Sequence, residues 1–309
     1  VDGCSVVFGS SNDTSMLRLF QSDGEGTAMW AMTPTLDTGY GGGDGVSDLV
    51  EPSASTSNDT ARDSLLRPDG SLVLIGGASN GSNQDFVAVQ FTPAGALDTS
   101  WGGGDGISDL VDVAANLDSG QAGALQADGS IIMGGQRDGG GRLVVAVKID
   151  PNGALDTSWG GGDGISDTAN PSGTGNNNYA FDIHNSSDGG VILTGWASTA
   201  ANGTDVHAVK YDANGALDTS WGGGDGIAGP IDVGGTSGSD TSTSSLMLSD
   251  GSIVVSASAD VGAHLDLGLV KFTPAGLIDT GWGGGDGISD LVDTSGSSLD
   301  DGAFDVIEL

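Results

Sequence analysis

Positive charge is scarce in this chain: Lys and Arg number 8 against 42 acidic residues, for a formal charge of −34. A surface of that sign repels nucleic acid and anionic lipid headgroups and attracts cations, so no nucleic-acid partner is expected and metal ions are the natural small ones. Cysteine is nearly absent. Cys4 alone allows no internal disulfide and no cysteine-based zinc site. No apolar run reaches the roughly 18 residues of a spanning helix, so no membrane insertion is expected. No basic-then-apolar leader is present either, so an exported chain is expected to have lost its signal. Glutamate is confined to Glu25, Glu51 and Glu308, and no GxSxG, HExxH or phosphate-loop motif occurs.

What the chain has in abundance is aspartate and glycine, the latter 57 times, a composition of strands joined by tight turns. Five segments repeat one cassette: Leu36 to Val46 (LDTGYGGGDGV), Leu97 to Ile107, Leu155 to Ile165 and Leu217 to Ile227 (LDTSWGGGDGI), and Ile278 to Ile288 (IDTGWGGGDGI). A second marker, Asp-Gly followed by an apolar run, stands at Asp2, Asp69, Asp128, Asp188 and Asp250, at intervals of 67, 59, 60 and 62 residues. Joining Leu309 to Val1 in thought preserves the phase: the last interval becomes 61, and Ile307 to Gly3 reads IELVDG beside GALQADG in the third unit. Each end supplies what the other lacks, as when the two termini share one blade of a closed ring.

The predicted fold is therefore all-β, a five-bladed β-propeller over residues 1–309 as a single domain, closed by pairing of 303–309 with 5–9. Each blade is expected to hold four antiparallel strands. In the third unit these read Gly106 to Val113, Ala122 to Ala127, Ser130 to Gly134 and Leu143 to Ile149, with Asp128-Gly129 as a hairpin turn. Cys4 stands where Ser71, Ser130, Gly190 and Ser252 follow the same turn, and so reads as a small strand residue.

The combination of LDTSWGGGDGI, (A/P)DGS with an apolar run, and FVAVQFTPAGALDTSW resembles the delta-60 repeat family of bacterial surface and secreted proteins. The resemblance spans essentially the whole chain and implies a β-propeller in an extracellular or cell-surface setting, with no shared enzymatic activity. This chain departs from the family in carrying Trp101, Trp159, Trp221 and Trp282 where phenylalanine is common, and Ser or Gly where lysine often follows the Asp-Gly turn.

Two repeated carboxylate sets are candidate Ca²⁺ ligands: Asp44, Asp105, Asp163, Asp225 and Asp286 in the glycine loop, and Asp37, Asp98, Asp156, Asp218 and Asp279 seven residues earlier. Ca²⁺ takes six to eight oxygens, which a carboxylate in a glycine-rich loop with turned-in carbonyls can supply. The competing reading is that these aspartates hydrogen-bond their own turns. A third set, Asp48, Asp109, Asp167 and Asp290, is broken in the fourth unit by Gly229-Pro230. The Trp residues read either as wedges between blades or as sugar platforms. Residues that occur once are few: His184, His207, His264, Arg142 and Trp196.

The longest interval carries an apolar insertion, Glu25 to Thr35, in which Met29, Trp30 and Met32 are the candidate contact residues. Asn12, Asn58, Asn80, Asn185 and Asn202 open Asn-X-Ser/Thr sequons. Together these features point to a non-catalytic extracellular structural or interaction module that associates with itself as a surface-layer, adhesin or filament subunit, with Ca²⁺ in its acidic loops. A multivalent glycan-binding lectin is the alternative. A five-bladed glycoside hydrolase is the third reading, and it needs two singular carboxylates across a cleft.

Overall fold

The computed structural model describes residues 4–6, 19–21, 37–53, 59–114, 116–173, 177–199, 203–294 and 300–307. They fall in two compact units, Val1–Asp48 with Ala94–Ala96, and Leu49–Pro93 with Leu97–Leu309. In the smaller unit β1 (Cys4–Val6) pairs antiparallel with β2 (Leu19–Gln21). Its glycine cassette folds against residues 94–96, with the Gly41 amide donating to the Ala94 carbonyl at 2.8 Å.

The larger unit is a series of antiparallel sheets. The first contains β3 (Thr60–Leu66), β4 (Leu72–Ser79) and β5 (Gln84–Phe91), and the second β6 (Asp118–Leu125), β7 (Ile131–Asp138) and β8 (Arg142–Ile149). The third has β9 (Asn178–Asn185), β10 (Val191–Thr199), β11 (Gly203–Tyr211) and β12 (Ile227–Ile231), and the fourth β13 (Ser245–Met247), β14 (Ile253–Asp260) and β15 (Leu265–Phe272). The described residues contain no helix, so none that could cross a membrane.

The Asp-Gly marker makes the first hairpin of each sheet. At Asp69 the carboxylate accepts the Ser71 amide at 2.9 Å while the Gly70 amide donates to Arg67, and the same pair recurs at Asp128 and Gly129. Consecutive sheets bury their faces against each other. Val73, Ile75 and Phe86 of the first meet Ile131, Met133 and Val147 of the second in one apolar cluster, and equivalent clusters join the second to the third and the third to the fourth. The inner strands have neighbours on both faces, which is why β5 reads FVAV in its middle, with no alternation of apolar and polar.

Two expectations are corrected. The segment after the cassette does not begin the next sheet. Ile107 and Val111 bridge to Val89 and Phe86, so 107–111 is the outer edge of the preceding sheet. The cassette causes this, because the Asp98 amide donates to the Gln90 carbonyl and the Gln90 amide to the Gly106 carbonyl, tying both ends of the loop to β5 and reversing the chain. Nor is the fourth strand regular in every sheet. Ser108, Ser166 and Ser289 accept the amides of Ala88, Ala146 and Leu269 on their hydroxyls, so a side chain replaces a ladder bond and only isolated bridges remain. The third sheet has Ala228 at that place and forms the strand β12.

The pairing expected between 303–309 and 5–9 involves residues 7–9 and 308–309, outside the described set. Residues 303–305 bond to the two residues before β13: Thr243 donates to the carbonyls of Ala303 and Phe304, and Ser244 to the Asp305 carboxylate at 2.8 Å. Asp305 accepts the amide of its own successor, Val306, as Asp63 and Asp182 do in β3 and β9.

Candidate functional site

Among the described residues, members of the two predicted Ca²⁺ sets fall in no group of three or more carboxylates with oxygens within 4.8 Å of one another. Asp44, Asp105, Asp163, Asp225 and Asp286 are exposed, and each accepts the amide two residues on at 2.9–3.0 Å. Asp37 and Asp279 do the same with Gly39 and Gly281, while Asp98, Asp156 and Asp218 accept both the amide and the hydroxyl of Ser100, Ser158 and Ser220. The remaining oxygen of this second set reaches the third strand, at Gln90 for Asp98, Lys148 for Asp156, Lys210 for Asp218 and Lys271 for Asp279. These bonds hold the carboxyls of Asp98, Asp156, Asp218 and Asp279 below the usual range: the Ser100 and Ser158 hydroxyls lead for the first two, the lysines for the last two. Asp109 and Asp167 of the third set accept the amides of Leu155 and Leu217 in the next repeat.

Trp101, Trp159 and Trp221 are buried. Each indole N–H donates across to the turn of the following repeat, to Pro151, Ala213 and Pro274, at 3.0–3.1 Å. Gly153 and Gly215 lie flat on the first two rings at positive φ, where a Cβ would come within 2.7 and 2.8 Å of the indole. The rings are wedges between repeats. Trp282 and Tyr40 are half-buried.

Of the singular residues, His207 is fully buried and donates from Nε2 to the Tyr179 carbonyl, and burial pushes its imidazole down to about 3. His184 contacts Ser245 and Asp182. Trp196 belongs to an aromatic group in the third sheet that Arg142 of the second covers: the Arg142 guanidinium lies 4.8 Å over the Tyr179 ring, which packs on Trp196 at 4.2 Å and on Phe181 at 5.7 Å.

That group borders a pocket of about 210 Å³ lined by Arg62, Gln84, Leu117, Ser119, Gln121, Gln136, Arg142, Tyr179 and Phe181. Its construction was not visible from the repeat. The pairing of first and second strands slips by one residue in three consecutive sheets, between Ala61 and Asp63, between Gly120 and Ala122, and opposite Thr194 and Gly195. The extra residues are Arg62, Gln121 and Phe181, and all three line the pocket. A β-bulge turns a side chain out of the pleat, and here three equivalent bulges deliver unlike side chains to one place. Arg62 and Arg142 form no ion pair among the described residues, whereas Lys148, Lys210 and Lys271 all do. Gln136 is buried with its Oε1 unpartnered.

The structure also assembles carboxylates that no motif marked. Asp85, Asp112 and Asp118 bring one oxygen each within 4.8 Å of one another, and so do Asp205, Asp232 and Asp240, and Asp266, Asp293 and Asp301. Burial, reinforced by Asp112, pushes the Asp118 carboxyl up to about 6. Burial likewise raises Asp85, Asp205 and Asp240, with Asp112 or Asp232 adding to the rise.

Segments 67–100, 126–158 and 186–220 match the family described as a domain of unknown function (DUF5122) beta-propeller. The repeat is of a β-propeller type. No curated protein matches the chain. Solved structures that are similar include a protein of unknown function from Dyadobacter fermentans DSM 18053, at 12% identity and a TM-score of 0.41 over 72% of this chain and 70% of that one. An α-L-arabinofuranosidase from Clostridium thermocellum ATCC 27405 is similar at 10% identity and a TM-score of 0.39, over 74% and 73%. An endo-arabinase from Bacteroides thetaiotaomicron VPI-5482 is similar at 10% identity and a TM-score of 0.36, over 72% and 80%.

Proposed function

We propose that this chain is a non-catalytic, five-bladed propeller of the delta-60 kind, acting outside the cell or at its surface as an interaction module that holds an anionic saccharide in the bulge-built pocket. The observation that carries this reading is the pocket's composition: two guanidiniums with no ion pair among the described residues, three glutamine side chains, a serine and two aromatic rings, in a chain of net charge −34. Guanidinium forks take carboxylates bidentately, amides exchange donors and acceptors with hydroxyls, and ring faces take the C–H face of a sugar. A group the size of one sugar ring suits the volume.

The lining favours binding over hydrolysis, because glycoside hydrolysis uses two carboxylates and the described lining contains neither Asp nor Glu. The buried Trp wedges weigh against a lectin with one Trp platform per blade. The test is a glycan array carrying uronic-acid-terminated and neutral oligosaccharides, followed by titration of the strongest ligand. Arg62→Gln and Arg142→Gln should each weaken the acidic ligand about tenfold or more, the effect of losing a charged hydrogen bond, with the melting temperature unchanged. Equal binding of neutral glycans, indifference to both substitutions, or release of reducing ends would overturn the reading.

A further inference from the structure

We propose that Asp85–Asp112–Asp118, Asp205–Asp232–Asp240 and Asp266–Asp293–Asp301 are three Ca²⁺ sites, and that the corresponding place in the second sheet, Leu143–Asn170–Asn178, is a copy that needs no metal. The first two sites each join two sheets. In both, the first carboxylate is near the start of the third strand (β5 or β11), the second ends the outer segment, and the third opens or precedes the first strand of the next sheet, so the site clamps the crossover between them. In the third site Asp266 is near the start of β15, and Asp293 and Asp301 follow it in the chain.

Buried oxygens without a donor point to a ligand there. Asp85 and Asp205 are 2% and 3% exposed, and their Oδ1 atoms have no hydrogen-bond partner. The other oxygen of each is occupied, by the Asn80 amide at 2.8 Å and the Thr199 hydroxyl at 2.7 Å. The third carboxylate is fixed by backbone: Asp118 accepts the amides of Val113 and Ala114 at 2.8 and 2.7 Å, and Asp240 those of Val233, Gly234 and Asp260. Three carboxylates so placed repel one another, and among the described residues no lysine or arginine forms an ion pair with those of the first two sites. A divalent cation removes both the repulsion and the orphaned oxygen. Ca²⁺ fits best among divalent ions. The donors are all oxygens, and two ligands on one ion at 2.3–2.6 Å are about 3–5 Å apart, a range that suits oxygens lying within 4.8 Å of one another. In the third copy Asp266 Oδ1 lies 3.1 Å from His264 Nε2, so the imidazole competes there with the ion.

The second sheet is the internal control. Leu143 replaces the aspartate whose oxygen is orphaned elsewhere, and Asn170 and Asn178 replace the other two. The fully buried Asn178 donates to Asn170 Oδ1 at 3.1 Å and to the Arg142 carbonyl at 2.9 Å, and accepts the Ser172 amide at 2.8 Å. An amide both donates and accepts, so this copy closes its own hydrogen bonds.

The experiment is calorimetric titration of the chelator-stripped full chain with CaCl₂ to about 10 mM, above the 10⁻⁴–10⁻³ M affinities of extracellular modules, alongside melts at each concentration. Ca²⁺ should bind and raise the melting temperature. The variant Asp85→Leu/Asp112→Asn/Asp118→Asn copies the second sheet's residues, so it should fold without metal, bind one equivalent fewer, and lose about a third of the Ca²⁺-dependent shift. Should it fail to fold, Asp205→Asn and Asp266→Asn, made singly, carry the same count. An unchanged stoichiometry in the folded variants, or no response of the wild-type chain to Ca²⁺, overturns the proposal.

Discussion

Replacing Trp159 by alanine tests whether the repeats are held together by their aromatic wedges. The indole is 3% exposed and packs with Val191, Leu193 and Tyr211 in the cluster between the second and third sheets. Its Nε1 donates to the Ala213 carbonyl at 3.0 Å, and Gly215 lies flat on the ring. Truncating a buried Trp removes its transfer free energy and leaves a cavity that close-packed sheets fill only in part, about 3–5 kcal/mol. The unpaired Ala213 carbonyl adds roughly 1 kcal/mol where water does not reach it. Trp282, half-buried, is the matched comparison, and Trp282→Ala should cost less than half as much. Urea unfolding followed by far-UV circular dichroism gives both values from the midpoint and slope. A loss below about 1 kcal/mol for Trp159→Ala, or equal losses for the two, would refute the wedge.

Three further outcomes are expected. Burial holds the folded His207 pKa at about 3, below its unfolded value, so the unfolded state binds the extra proton between these values. Stability should thus fall as pH drops from about 6.5 toward about 3, and His207→Asn should flatten that slope in pH-dependent melts; an identical slope would exclude the residue. Lys210, 7% exposed, lies between Asp188 and Asp218, and Lys210→Met should cost about 1–3 kcal/mol, between the limits for exposed and buried pairs. It should also reduce acid sensitivity below the ordinary carboxylate range, because Lys210 helps depress both aspartates; an unchanged acid transition would count against the pair. Met29, Trp30 and Met32 lie outside the described residues, and Trp30→Ser with Met32→Ser should abolish self-association in analytical ultracentrifugation with the melting temperature unchanged. A large drop in melting temperature with assembly intact would place Trp30 in the fold.

The repeats, their hairpins and the equivalence of the cassettes were legible in the chain because their determinants are local. An Asp-Gly pair with its Ser closes a turn within five residues, as at Arg67 to Ser71, and a glycine loop caps itself through Asp105 and Ile107. The aspartates that recur beside glycines each accept a backbone amide of their own turn on one oxygen. The sheet to which residues 107–111 belong depends on bonds from the cassette ends back to Gln90, which spacing does not reveal.

The acidic clusters needed the tertiary structure, since Asp85, Asp112 and Asp118 stand on two consecutive sheets and meet only where the chain crosses between them. One signal was available: aspartate two residues before the VAV, HAV or GLV core of the third strand in Asp85, Asp205 and Asp266, with Leu143 as the exception. The pocket carried no such signal. A one-residue slip in pairing turned Arg62, Gln121 and Phe181 to a common side, and a bulge depends on the neighbouring strand as much as on the residue that bears it. Local chemistry settled the repeat, and the packing of one repeat against the next settled which of its side chains were left free to bind.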